Sequence, residues 1–170
     1  FGMVFNAVEE ARTVIAAYAR AGKRLGATGL LNTDWGDYGH FNMPPCGLHG
    51  LALGAALAWN PDSDEKEAFD LAFSRLLFGS ASKRPAALFS LAGSVPAELA
   101  AWPFPPMKEI PPPSNLESAK QLAEQAPLWA DEFATLPTTR WADETDREQL
   151  ALACRFLQFN ALVASGAPVE

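Results

Sequence analysis

Apolar residues recur three and four positions apart from Asn6 to about Arg24, where Val8, Ala11, Val14, Ile15 and Tyr18 share one face of a predicted helix. Asn6 has the chemistry of an N-cap and Gly26 lies just past the end. The pattern then changes. Thr28 to Thr33 (TGLLNT) is a short apolar run between a glycine-containing turn and a glycine-rich loop, which predicts a buried strand of the parallel kind. Leu48 to Trp59 (LHGLALGAALAW) is almost wholly apolar and predicts a buried helix whose small residues allow close packing, ended by Asn60-Pro61.

Beyond Pro61 every predicted element is helical. Asp62 and Glu65 have capping-box spacing ahead of Ala68, Phe69, Leu71, Ala72, Leu76 and Leu77, which predicts a helix to about Phe78, before Gly79. Short helical turns follow over Pro85–Leu91 and Pro96–Trp102, each with proline near its start. Trp102 to Pro113 (WPFPPMKEIPPP) is too rich in proline for helix or strand and reads as an extended connector. A packed tether is favoured over a proline-recognition ligand, because Trp102, Phe104 and Ile110 favour burial. Ser114 and Glu117 have the spacing of a capping box for a helix to about Gln125, and Pro127 opens a short helix through Phe133. Thr145 with Glu148 caps the last helix, whose apolar positions run from Leu150 nearly to Gly166.

The result is about six helices against one strand. A lone buried strand cannot satisfy its edge hydrogen bonds or cover both faces, so the expectation is that its neighbours lie outside these residues. Helix, short turn, buried strand and polar loop is the cadence of an α/β unit. Phe1 stands where an initiator Met would, and a helical pattern follows almost at once, which suggests a piece of something longer.

Composition narrows the partners. The 170 residues carry 20 acids against 13 Lys and Arg, a formal charge of -7, with no basic cluster large enough to follow a phosphate backbone, so nucleic acid is not the expected partner. The longest apolar runs are broken well before the roughly 18 residues of a spanning helix, and no membrane segment is expected. Two cysteines, Cys46 and Cys154, do not make a disulfide framework, and their pairing is left open.

The candidate chemistry lies in the loop after the strand, because ligand sites of α/β folds form at the carboxyl ends of strands. There Trp35-Gly36-Asp37 sets an indole wall beside a strong acceptor, a pairing suited to a sugar with its apolar C–H face and hydroxyl edge. Tyr38 and His40 add donors, and Gly36 and Gly39 permit backbone turns closed to other residues. Two readings stand side by side for Trp35 and Asp34: a site, or a plug for the end of the core and a cap for the next loop or helix. For His40 the structural reading leads. Cys46-x-x-His49 is half of a zinc pattern without a second half, so neither a metal nor a cofactor is expected. No phosphate loop, G-x-S-x-G elbow or Cys/His nucleophile pairing is present in the sequence.

The string L-x-T-D-W-G-D-x-G-H, with the helix NAVEEARTVIAAYARAGKRLGA before it and GLALGAALAWNP after it, resembles the end of the catalytic barrel of glycoside hydrolase family 20, the β-N-acetylhexosaminidases. The resemblance covers about Asn6 to Pro61. It implies a mainly α chain comprising the last β/α unit of a (β/α)8 barrel, residues 1–60, followed by a helical C-terminal region, residues 61–170. It also implies Trp35 as the stacking wall for an N-acetylhexosamine and Asp37 as acceptor for its hydroxyls, with Asp34 and Tyr38 assisting at the substrate site. Asp37 stands where better-known members have Glu, a shorter reach. The implied partners are an N-acetylhexosamine-containing glycan and the remainder of the barrel.

Members of that family cleave with help from the substrate: its acetamide attacks the anomeric carbon while an adjacent Asp-Glu pair orients it and protonates the leaving oxygen. That pair belongs to an earlier strand. Asp64-Glu65, Asp131-Glu132 and Asp143-Glu144 are adjacent here, but all fall at or near predicted helix starts, where acids favour the helix dipole. The expectation is therefore part of a sugar-binding wall, no catalytic residue, and no activity from these residues alone. The competing expectation is a non-catalytic helical binding or scaffold domain.

Overall fold

A computed structural model describes residues 3–34, 42–63, 65–100 and 115–168. The chain is mainly helical. In order it forms α1 (Val8–Arg24), a 3-10 turn (Pro44–Gly47), α2 (Leu48–Trp59), α3 (Lys66–Phe78), α4 (Arg84–Gly93), α5 (Ala97–Ala100), α6 (Leu116–Thr135) and α7 (Glu144–Ser165). Apart from an isolated bridge at Met3, no strand is present among the described residues.

The helix ends follow local chemistry. Gly79 and Gly166 end α3 and α7 in the left-handed conformation, at φ 61° and 70°, where a side chain would be strained. Asn115 caps α6 by accepting from the amides of Glu117 (2.9 Å) and Ser118 (3.3 Å). Asp143 and Asp146 form a reciprocal capping box on α7, at 3.1 and 2.9 Å. These caps differ from the expected ones. Thr145 lies inside α7, one residue past its first, and the acid at the cap is Asp143. Asn6 does not cap α1, because its side-chain oxygen faces Asn42 instead. Glu65 holds the N-cap position of α3 without a side-chain bond, and Asp62 accepts from Lys23.

The two helices expected on either side of Pro127 are one. Ala119, Leu122, Ala126, Trp129, Ala130 and Phe133 are all buried, a single stripe at three- and four-residue spacing that packs along α7. A proline within a helix removes one hydrogen bond and crowds the preceding turn, at about 3 kcal/mol. Continuous burial on both sides of Pro127 outweighs that. One consequence concerns the adjacent acids: Asp131 and Glu132 lie near the end of α6, not at a helix start, and each is ion-paired, Asp131 with Arg155 and Glu132 with both ends of the Arg84 fork.

The core is aromatic and continuous across the chain. Phe89 on α4 meets Phe5 (6.1 Å), Phe73 (5.3 Å) and Phe133 (5.4 Å) edge-on, and Phe5 stacks on Phe133 (6.0 Å). Val4, Phe5, Val8 and Cys46 share this core with α3 to α7, so the N-terminal residues and the helical region are packed together. The bare approach of α4 to the N-terminus explains Gly93: a Cβ there would sit 2.3 Å from the Asn6 carbonyl oxygen. A smaller cluster of Ala16, Ala19, Leu53 and Leu57 joins α1 to α2.

Candidate functional site

Between α1 and α2 the described chain bends at Thr28 and forms no helix from there to Asp34, but it is not the strand expected there. A strand requires a paired neighbour, and no backbone–backbone hydrogen bond joins residues 28–32 to another segment among the described residues. Its side chains nonetheless alternate. Leu30 packs into the α1–α2 cluster, and Leu31 points away, 85% exposed. Asn32 turns back, its Nδ2 donating to the Gly50 carbonyl at 2.9 Å. Asn32 lies so close to α2 that a Cβ on Gly54 would come within 2.2 Å of its Nδ2, which gives that glycine a packing reason.

Asp34, the last described residue of this run, is held from below. Its Oδ2 accepts from Asn42 Nδ2 at 3.3 Å and lies where a Cβ on Gly47 would be only 2.8 Å away. Asn42 in turn reaches Asn6 Oδ1 at 3.4 Å. The carboxylate therefore sits at the start of α2, where a negative charge is favoured by the helix dipole. Trp35, Asp37, Tyr38 and His40 lie outside the described residues.

A groove of about 410 Å³ opens beside this segment. Ala11, Val14, Ile15 and Tyr18 of α1 form one wall, and Leu30 to Asp34 with Gly50 and Leu51 form the other. This corrects the face assigned to α1 from its apolar spacing. The helix buries Val8, Arg12, Ala16 and Ala19, whereas Val14 and Tyr18 are 46% and 70% exposed.

The most enclosed polar cluster lies elsewhere, where α1, α2 and α3 meet. Asp70 Oδ1 accepts from Arg12 Nη2 at 2.9 Å and faces His49 Nε2 at 3.3 Å. Phe69 and Phe73 flank the imidazole at ring distances of 5.2 and 4.9 Å. Burial, only partly offset by Asp70, lowers the His49 pKa, so the ring is held neutral. With His49 1% exposed, no substrate can reach it, and the cluster is a structural tie. Sequence reasoning misses it because Arg12 breaks an apolar pattern, although its spacing from Val8, Ala16 and Ala19 places it on their face.

The remaining sulfur chemistry is quiet. Cys46 and Cys154 are free thiols buried in the core, and burial above all pushes Cys46 up to about 12 and raises Cys154 as well. Cys46 and His49 therefore serve packing and the buried tie, and among the described residues no three His, Cys, Asp or Glu converge as metal ligands. No described helix is long and apolar enough to cross a membrane. Comparison with family models, curated proteins and solved structures finds no match to this chain.

Proposed function

We propose that residues 1–60 are the closing β/α unit of a (β/α)8 barrel in a β-N-acetylhexosaminidase-like glycoside hydrolase, and that residues 61–170 are a helical region appended to it. The observation that carries this reading is the run Thr28–Asp34. It is not helical, its residues alternate between half-buried and exposed from Leu30 to Thr33, and its inner face meets both the helix before it and the helix after it through Leu30. Helices on one side of a strand suit a barrel, whereas a doubly wound sheet places them on both faces.

On this reading the carboxyl end of the run is the rim of a carbohydrate site. Trp35 stacks on the sugar ring of a terminal N-acetylhexosamine, Asp37 accepts from its hydroxyls and Tyr38 lends a donor. Asp34 holds the base of the loop through Asn42. The orienting Asp and the acid Glu come from an earlier strand, and the substrate's own acetamide is the nucleophile. The full-length gene product then hydrolyses an aryl N-acetyl-β-glucosaminide. Trp35→Ala and Asp37→Ala each lower kcat/KM by about 10- to 100-fold, the size of a lost contact of about 1.4 to 2.8 kcal/mol. Unchanged kinetics in both variants contradict the assignment.

A second reading, a non-catalytic helical binding or scaffold domain, draws on the shared core of Val4, Phe5 and Cys46 with α3 to α7. Absence of hydrolysis by the full-length product favours it.

A further inference from the structure

The chain has two cysteines, and both lie in the core where the N-terminal residues meet the last helix. Cys46 is a buried residue of the 3-10 turn, 1% exposed, and Cys154 belongs to the buried face of α7 with Leu150, Ala153 and Leu157, 0% exposed. That turn packs directly against α7. The two sulfurs also act on one another: after burial, the charge that Cys46 would carry is what raises the Cys154 pKa. The only two thiols in 170 residues therefore share one neighbourhood of the core, although positions 46 and 154 are far apart in the chain. Neither has another chemical task. Both are closed to substrate, and among the described residues no third His, Cys, Asp or Glu joins them as a metal ligand.

We infer that Cys46 and Cys154 are a latent disulfide, a redox-dependent staple between the N-terminal residues and the helical region that closes only while the core is open. The oxidant is a small disulfide of the glutathione type. The thiolate of one cysteine attacks it, forming a mixed disulfide and releasing one glutathione; the second cysteine then attacks the protein sulfur of that mixed disulfide and releases the other. Two electrons pass from the protein sulfurs to glutathione disulfide, and the two thiol protons leave with the two glutathiones. Burial sets the timing. Thiolate is the attacking species, and in the native core both thiols are held protonated and closed to an oxidant, so the bond forms during folding or local opening. Once closed it spans more than half of the chain, and long closed loops are those that restrict the unfolded state most. Nothing in this staple depends on the sugar site.

Refolding the reduced full-length gene product from urea in a buffer of reduced and oxidised glutathione tests it, with natively folded, reduced protein held in the same buffer for comparison. Peptide mapping is expected to find Cys46 and Cys154 linked in the refolded sample and still thiols in the native one over the same period. The linked protein should unfold at a urea midpoint higher by at least about 1 M, a gain reversed by dithiothreitol and absent in Cys46→Ala treated identically. Free thiols at both positions after refolding overturn the inference, as do glutathione adducts or links to other cysteines in place of this bond. A linked protein no more stable than the reduced one overturns the staple, and linkage as rapid in the native protein as in refolding overturns the need for an open core. Should Cys46→Ala fail to fold, the peptide map and the dithiothreitol comparison on the parent protein still decide.

Discussion

Removing the carboxylate at the centre of the buried tie, by Asp70→Ala, is expected to be the most damaging single polar change in the described chain. Asp70 and Arg12 keep about a tenth of their side-chain surface exposed, and their closest atoms are 2.9 Å apart. At an effective dielectric of about 20 their attraction is about 6 kcal/mol, much of it offset by the cost of taking both ions out of water. The variant escapes the desolvation of Asp70 but takes this carboxylate from the buried Arg12, which lies 5.2 Å from the Phe69 ring. Lys66, 4.0 Å from the other carboxylate oxygen and well exposed, adds little. The expected loss is about 3–5 kcal/mol, read as a drop in the urea midpoint at constant slope. For a domain stabilised by about 5–15 kcal/mol this is a large fraction. The double variant Arg12→Met/Asp70→Leu removes both charges and should recover most of the loss. A loss below about 1 kcal/mol in Asp70→Ala, or a double variant as unstable as the single, refutes the tie.

Other outcomes rest on neighbouring features. Because burial holds His49 below its ordinary pKa of 6.5, the unfolded chain binds the proton more readily than the folded one. Stability is therefore complete above pH 6.5 and falls as pH drops below it, where Asp70, Arg12 and Lys66 face the ring. Urea titrations between pH 7.5 and 5.5 should show this slope in the parent and its loss in His49→Gln, and an equal slope in both refutes the assignment. Gly54→Ala gains about 1 kcal/mol of helix propensity but drives a methyl into Asn32, so it lowers Tm, and the same change made on Asn32→Ala recovers only part of the loss, because the Cβ of residue 32 would still lie 2.9 Å away; an unchanged Tm in Gly54→Ala refutes the contact. Neither Cys46 nor Cys154 should react with an aromatic disulfide reagent in the native state, and both should react in urea; rapid native labelling contradicts their burial.

The helices are legible in the sequence wherever burial obeys local spacing. Leu48–Trp59 is predicted to the residue, and Gly79 and Gly166 mark stops, because an apolar run and a left-handed glycine carry their meaning within a few positions. Pro127 misleads because its cost is local while its compensation, the stripe Ala119–Phe133 against α7, depends on a helix some thirty residues away. On α1 the apolar count favours Val14 and Tyr18, and a buried arginine at position 12 becomes sensible only once Asp70 is placed beside it. Caps shift by one or two residues for the same reason: several acids and hydroxyls compete at each helix start, and backbone geometry selects among them. Pairing decides whether TGLLNT is a strand, and pairing is a property of two segments that spacing within one does not reveal; among the described residues no main-chain hydrogen bond joins residues 28–32 to a second segment. Of the proposed sugar-site residues only Asp34 falls within the described structure, where it accepts from Asn42 and lies against Gly47.

The central claim is that the loop following Asp34 forms part of an N-acetylhexosamine site served by substrate-assisted hydrolysis. Calorimetric titration of the full-length gene product with a thiazoline analogue of the cyclised N-acetylglucosamine intermediate tests it most directly. The account predicts saturable one-site binding that Trp35→Ala and Asp37→Ala each weaken by about 10- to 100-fold. No binding by the parent protein, or equal affinity in both variants, contradicts it.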